Sequence, residues 1–170
     1  MLGRTGKLWP CPDPEHSDGQ AVLFGDRFPT ATGRGKFVPC EFAPARELPD
    51  EEYPLVLNTG RLLEHWHTGT MTRRAAALDA LQPGPFVEVH ADDLAALGIA
   101  DGAEVELASR RGRIRLPARQ SDRVPRGSVF VPFHFREAAA NLLTTDQLDP
   151  FGKIPEFKFC AVRIEVAATA

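Results

Sequence analysis

A mainly β fold that closes into a barrel is what this 170-residue chain predicts. Three observations carry that reading. From Tyr53 onward, short apolar runs alternate with polar residues at the period of two expected of strands. Gly- and Pro-containing turns separate the runs, and helix signals are few and short.

The elements follow in order. Residues 1–52 are rich in Pro, Gly and charge, and read as an extended connector. Two apolar pieces interrupt it, Ala21-Val22-Leu23-Phe24 and Lys36 to Phe42; the second alternates well enough to predict a strand. The opening, from Met1 to Pro12, carries no helix or strand signal and reads like the interior of a longer chain. Leu55-Val56-Leu57 predicts a buried strand, and Thr72 to Leu81 one or two helical turns stopped by Pro83-Gly84-Pro85. Phe86 to His90 alternates as a strand. Ala91 to Gly98 predicts a short helix with Asp92 as its N-cap and Gly98 as its stop. After the Asp101-Gly102 turn, Glu104 to Ser109 and Ile114 to Ala118 form a hairpin across Arg111-Gly112. Pro125-Arg126-Gly127 turns into a strand over Ser128 to Phe133, and Cys160 to Val166 is the last strand.

Composition narrows the function. A net charge of −3 argues against nucleic-acid binding by bulk electrostatics, although Arg73-Arg74 and Arg110 to Arg115 are local basic clusters. Such clusters are solvated faces as often as anion sites. No apolar run approaches the ~20 residues of a membrane span, and the first residues lack a secretory signal. Cys11, Cys40 and Cys160 are far apart, an odd set without C-x-x-C spacing. That argues for reduced, structural thiols in a cytoplasmic protein, and against a disulfide framework, a zinc site or a catalytic cysteine.

The segment Asn58 to Arg74 concentrates the polar chemistry. Its 17 residues include two His, three Arg, four Thr and two Gly, with Glu64 the sole carboxylate. Gly60 permits close backbone approach, and Arg61 offers a planar fork for phosphate or carboxylate; the alternative is a turn with a surface arginine. Thr68-Gly69-Thr70 adds hydroxyls and N–H groups. His65 and His67 lack partners at metal-ligand spacing, so hydrogen bonding to a polar cofactor is preferred to metal coordination. Further along, His134 and Asn141 lie in a polar stretch after the Ser128 to Phe133 strand, and Lys158 lies just before the last one. Asn141 is either a buried turn former or a reader of a ring edge; Lys158 is either a phosphate ligand or a strand-edge lysine. No Ser-His-Asp order, P-loop or dinucleotide G-x-G-x-x-G occurs. The chain offers binding groups but no convincing nucleophile or acid–base pair, which predicts a cofactor-binding module with no catalytic residue or metal ligand of its own.

Taken in order, these motifs resemble the C-terminal domain of molybdopterin oxidoreductases. The likeness rests on Tyr53 to Arg61, His65 to Arg74, Leu97 to Gly102, Ser109 to Gly112, Ala138 to Thr144 and Pro155 to Arg163, and spans about residues 50–166. Residues 8–45 resemble the segment preceding that domain. The resemblance implies a double-psi β-barrel over residues 51–170, short helices, and an extended N-terminal connector over 1–50. It implies bis-molybdopterin guanine dinucleotide, with molybdenum or tungsten, as the cofactor. Carried over motif by motif, Thr59, Gly60, Arg61, His65, His67, Thr68, Thr70, Met71, His134, Asn141, Phe157 and Lys158 are its expected contacts.

Glu64 to Gly69, Asn141 to Thr144 and Asp149 to Glu156 resemble formate dehydrogenase catalytic subunits in particular, with the nearest look that of the cytoplasmic, NAD-linked type. Assimilatory nitrate reductases share much of this wording, and a separately encoded pterin-binding or assembly subunit is the other alternative. The chain has no four-cysteine cluster motif. The family's iron–sulfur cluster, metal-ligating residue and catalytic His and Arg belong to other domains. The remaining domains of a catalytic subunit and electron-transfer subunits of a larger complex are therefore the expected partners, without nucleic acid or membrane, and catalysis by this chain in isolation is not expected.

Overall fold

A computed structural model describes residues 6–13, 15 and 17–167. The chain divides into two units, Met1–Phe42 and Ala43–Ala170. No described helix is long and apolar enough to cross a membrane.

The second unit holds every strand among the described residues: β1 (Leu55–Gly60), β2 (Val87–Val89), β3 (Glu104–Ala108), β4 (Arg113–Gln120), β5 (Ser128–Pro132) and β6 (Cys160–Val166). They close into a ring in the order β1-β5-β2-β4-β3-β6. Two neighbouring pairs are parallel, β1 with β5 and β2 with β4; the other four are antiparallel. The expected mainly β closed barrel is therefore present. Closure removes free strand edges and turns one face of each strand inward.

Alternation along the strands explains the core. Leu57, Val87, Val89, Val105, Leu107, Val129, Val131 and Val162 are fully enclosed. Each such side chain contributes roughly 1.5–3 kcal/mol of burial. On β4, Ile114, Leu116 and Ala118 point inward while Arg113 and Arg115 point out and pair with Glu106 of β3 at 3.0 and 3.5 Å. Neighbouring Arg110 pairs with Asp50, and Arg111 with Glu47. The basic cluster of the sequence is thus neutralised by carboxylates.

Two short helices, α1 (Ala76–Leu81) and α2 (Ala91–Leu97), and three 3-10 turns fill the connections. The N-cap of α2 is His90, whose Nδ1 accepts the Asp92 N–H at 3.1 Å; Asp92 sits in the first turn, where its charge suits the helix dipole, and is not the cap the sequence suggested. An aspartate two residues into the turn cannot reach back to cap it, and the imidazole immediately before the helix can. Gly98, left-handed, ends α2 as expected.

The first unit holds local contacts. Phe24 and Phe28 stack at 5.5 Å, and the Lys7 ammonium meets Asp18 at 2.8 Å. The strand expected over Lys36 to Phe42 does not form. Its alternation is real, but no neighbouring strand offers a ladder, and Phe37 and Phe42 are 98% and 91% exposed.

Candidate cofactor-binding site

At one end of the barrel, a cavity of about 700 Å³ lies between two walls. The first comes from the loop after β1, with Arg61, His67 and Thr68; the second comes from residues after β5 and before β6, with Phe133, Asn141, Thr144, Pro155, Phe157 and Lys158. Strands β1, β5 and β6 are neighbours in the ring, so their ends bring these distant segments together.

The lining sets two cations and several polar groups among the apolar Phe133, Pro155 and Phe157, with no carboxylate among the described lining residues. The Arg61 guanidinium rests over the Trp66 ring at 5.6 Å and the Lys158 ammonium near Phe157 at 5.9 Å; neither makes an ion pair among the described residues. Two unneutralised cations beside an amide, an imidazole and two hydroxyls suit a polyanion with hydrogen-bonding ring edges. His67 is held at φ 52°, a left-handed conformation uncommon outside glycine, and this turn carries its ring to the cavity wall. Thr68 and Thr70 share a hydrogen bond of 2.9 Å at the rim.

Six of the twelve residues expected from the sequence line this cavity: Arg61, His67, Thr68, Asn141, Phe157 and Lys158. The other six do not. Thr70 and Met71 are exposed beyond the lining. Gly60 is buried, and a Cβ there would lie 2.5 Å from the Phe130 ring, so glycine is required by that ring. Thr59 is buried, and its hydroxyl donates to the Phe157 carbonyl at 2.8 Å, tying the second wall to β1.

His65 is also enclosed. Its Nε2 lies 2.8 Å from the Gln82 carbonyl, which can only accept, so Nε2 carries the proton. Nδ1 then accepts from the Thr72 hydroxyl at 3.3 Å, and that hydroxyl accepts the Trp66 N–H at 3.1 Å. The imidazole is a staple across the loop that carries His67 and Thr68. Next to it, at 4.8 Å between ring centres, His134 is 4% exposed, and neither ring nitrogen has a partner among the described residues. Burial, with the neighbouring His65 and the Arg73 charge also opposing a second positive ring, depresses its pKa to about 4, so the ring is neutral near pH 7.

Phe133, Thr144 and Pro155 line the cavity but were not singled out from the sequence as contacts. Thr144 had a signal: it stands three residues after Asn141, and its hydroxyl donates to the Asn141 carbonyl at 3.2 Å. Phe133 and Pro155 had none beyond proximity to His134 and Phe157. All three cysteines are free. Burial pushes the Cys160 thiol up to about 11, which keeps it protonated and unreactive. Among the described residues no three His, Cys, Asp or Glu side chains converge to hold a metal ion.

Residues 55–161 match the Molydopterin dinucleotide binding domain family. The chain belongs to that family. The cofactor of this domain is accordingly bis-molybdopterin guanine dinucleotide with molybdenum or tungsten, and the acid-free, doubly cationic cavity fits its phosphates and pterin edges. The chain is 49% identical over 160 residues to the F420-dependent formate dehydrogenase subunit alpha of Methanocaldococcus jannaschii, covering 94% of this chain and 24% of that relative. It is 40% identical over 171 residues to formate dehydrogenase H of Escherichia coli, covering 98% and 24%. The domain thus spans about a quarter of the length of the curated relatives it matches. Among solved structures, acetylene hydratase from Pelobacter acetylenicus superposes with a TM-score of 0.64 at 18% identity, over 74% of this chain and 21% of that one, which shows the fold alone.

Proposed function

We propose that this domain holds the pterin dinucleotide of a molybdenum- or tungsten-dependent formate dehydrogenase, in which formate gives carbon dioxide, two electrons and a proton at the metal. The observation that carries the reading is the cavity with two unneutralised cations and no acid, in a domain of the dinucleotide-binding family. When bound, the cofactor supplies the redox chemistry. The residues of this chain supply charge, hydrogen bonds and exclusion of water. Arg61 and Lys158 face the phosphates. His67, Asn141, Thr68 and Thr144 present donors and acceptors to ring edges. Phe133 and Phe157 give the apolar flanks. Thr59, Gly60, His65 and His134 act from behind the lining, while Thr70 and Met71 extend its rim.

Two parallel pairs within a closed six-strand ring support the double-psi form of the barrel. Residues 1–50 are read as the connector and 51–170 as the binding domain. Three similar alpha subunits carry F420 in their names, which supports an F420-linked acceptor for the whole enzyme in place of the nicotinamide-linked one expected from the sequence. Partners are the remaining domains of the catalytic subunit and electron-transfer subunits, with the assembly in the cytoplasm. The test is Arg61→Ala in the full-length enzyme: metal and pterin content should fall, and unchanged content would sink the assignment.

A further inference from the structure

Outside the lining, one cation is aimed at the backbone of a cavity wall. Arg111 sits in the turn between β3 and β4, and its Nε and Nη2 both donate to the Leu143 carbonyl, at 3.0 and 2.9 Å. The opposite edge of the same guanidinium grips Glu47, with Nη2 to Oε1 at 2.8 Å. Glu47 Oε1 in turn accepts the Ala161 N–H of β6 at 2.8 Å. The hydrogen bond from Arg111 holds the Glu47 carboxyl below its ordinary range despite partial burial. The turn presses on the same wall through its backbone: a Cβ on Gly112 would stand 2.8 Å from the Leu142 carbonyl.

That wall is a two-sided turn. Ala140 and Leu143 are fully enclosed in the core, while Asn141 and Thr144 face the cavity. The Leu143 carbonyl and the Thr144 N–H belong to one planar peptide, so fixing the carbonyl fixes the direction in which Thr144 leaves it. Thr144 is bonded to the Asn141 carbonyl, which passes the constraint back along the turn.

We propose that Arg111 is a positioning residue for the cavity: buttressed by Glu47, it sets the orientation of Asn141 and Thr144 through the Leu143 carbonyl. This inference rests on the cofactor reading of that cavity. Because Glu47 neutralises the guanidinium, Arg111 acts by geometry and adds little field at the ligand. A fork that serves a carbonyl and a carboxylate at once is a task for arginine; lysine, a single point of charge, does it incompletely.

The experiment uses the full-length, cofactor-loaded protein and reads two quantities: the rate of pterin loss on dilution, and amide hydrogen exchange over residues 141–145. Arg111→Ala should speed pterin loss about tenfold and raise exchange in that segment, with Arg111→Lys intermediate. Arg113→Ala, which breaks only the surface pair with Glu106 on the same hairpin, should change neither. Arg111→Ala added to Asn141→Ala/Thr144→Val should lose pterin no faster than Asn141→Ala/Thr144→Val alone, because Arg111 acts through those two wall residues. Independent, multiplying effects would overturn the proposal, as would an Arg111→Ala protein with unchanged pterin loss and exchange. Should Arg111→Ala fail to fold, Arg111→Lys in the same comparison decides between coupled and independent effects. Arg61→Ala separates the two levels: if it and Asn141→Ala both retain cofactor normally, the cofactor reading fails. If Arg61→Ala loses pterin while the Arg111 variants do not, only the role of Arg111 fails.

Discussion

The cavity and the layer directly behind it are built from neighbouring residues with opposite jobs. His67 and His65 stand two apart, yet one faces the cavity at a left-handed backbone angle and the other is sealed behind it with both nitrogens bonded. Among the described residues Arg61 makes no ion pair, whereas Arg111 is locked in one. In the lining, Arg61 and Lys158 keep their charges unpaired among the described residues, which costs little because both remain exposed. Behind it Thr59, His65 and Arg111 spend theirs on the protein, because an unspent polar group there carries a full desolvation cost, as the unpartnered His134 does. Function and stability are therefore divided between adjacent positions.

Substitutions can break that division, beginning with the backing. His65→Ala removes the staple, strands the Gln82 carbonyl and opens a hole; a loss of about 3 kcal/mol in unfolding free energy is expected. Chemical denaturation measures it, and a loss under about 1 kcal/mol would return His65 to the lining class. Acid should find the same layer through His134. Unfolded, its imidazole takes a proton near 6.5; folded, it resists until about 4. Between those values the unfolded chain binds the extra proton, so the penalty is absent above pH 6.5 and grows as pH falls toward 4, reaching up to about 3 kcal/mol. His134→Phe should flatten that part of the stability–pH curve, and an identical curve in the variant would contradict the assignment. Thr59→Val, which leaves the Phe157 carbonyl without its donor, should cost about 1–2 kcal/mol by the same measurement. Smallest of all, Arg61→Ala and Lys158→Ala should change stability by no more than about 0.5 kcal/mol while lowering cofactor content. A large destabilisation by either would erase the contrast.

The sequence revealed elements better than neighbours. Strand positions followed from alternation, and Cys160–Val166 appears as read. The ring order did not follow, because parallel pairing of β1 with β5 depends on long crossovers that local patterns do not encode. Within the site, Arg61, Asn141 and Lys158 were reached through the family resemblance, because the residues alone left each open between a binding and a structural role. The split between His65 and His67 was not legible, since a loop has no period from which to tell inside from outside. Arg111 stood in the sequence only as part of a basic cluster, and its role needed the carbonyl of a residue far along the chain. Phe37 and Phe42 taught the reverse lesson: alternation without a partner strand makes no strand.

The ring order also sets a timetable. β1 opens the barrel and β6 closes it, yet Leu57 pairs with Cys160 and the two strands are adjacent. During synthesis β1 must wait, unpaired on that side, until the rest of the barrel has emerged. Its other neighbour, β5, also arrives late. Contacts so distant along the chain make for slow folding. Both cavity walls are finished only when β6 docks. A polypeptide not yet translated through that strand lacks the anchor on which the Pro155, Phe157 and Lys158 part of the wall leads into the barrel.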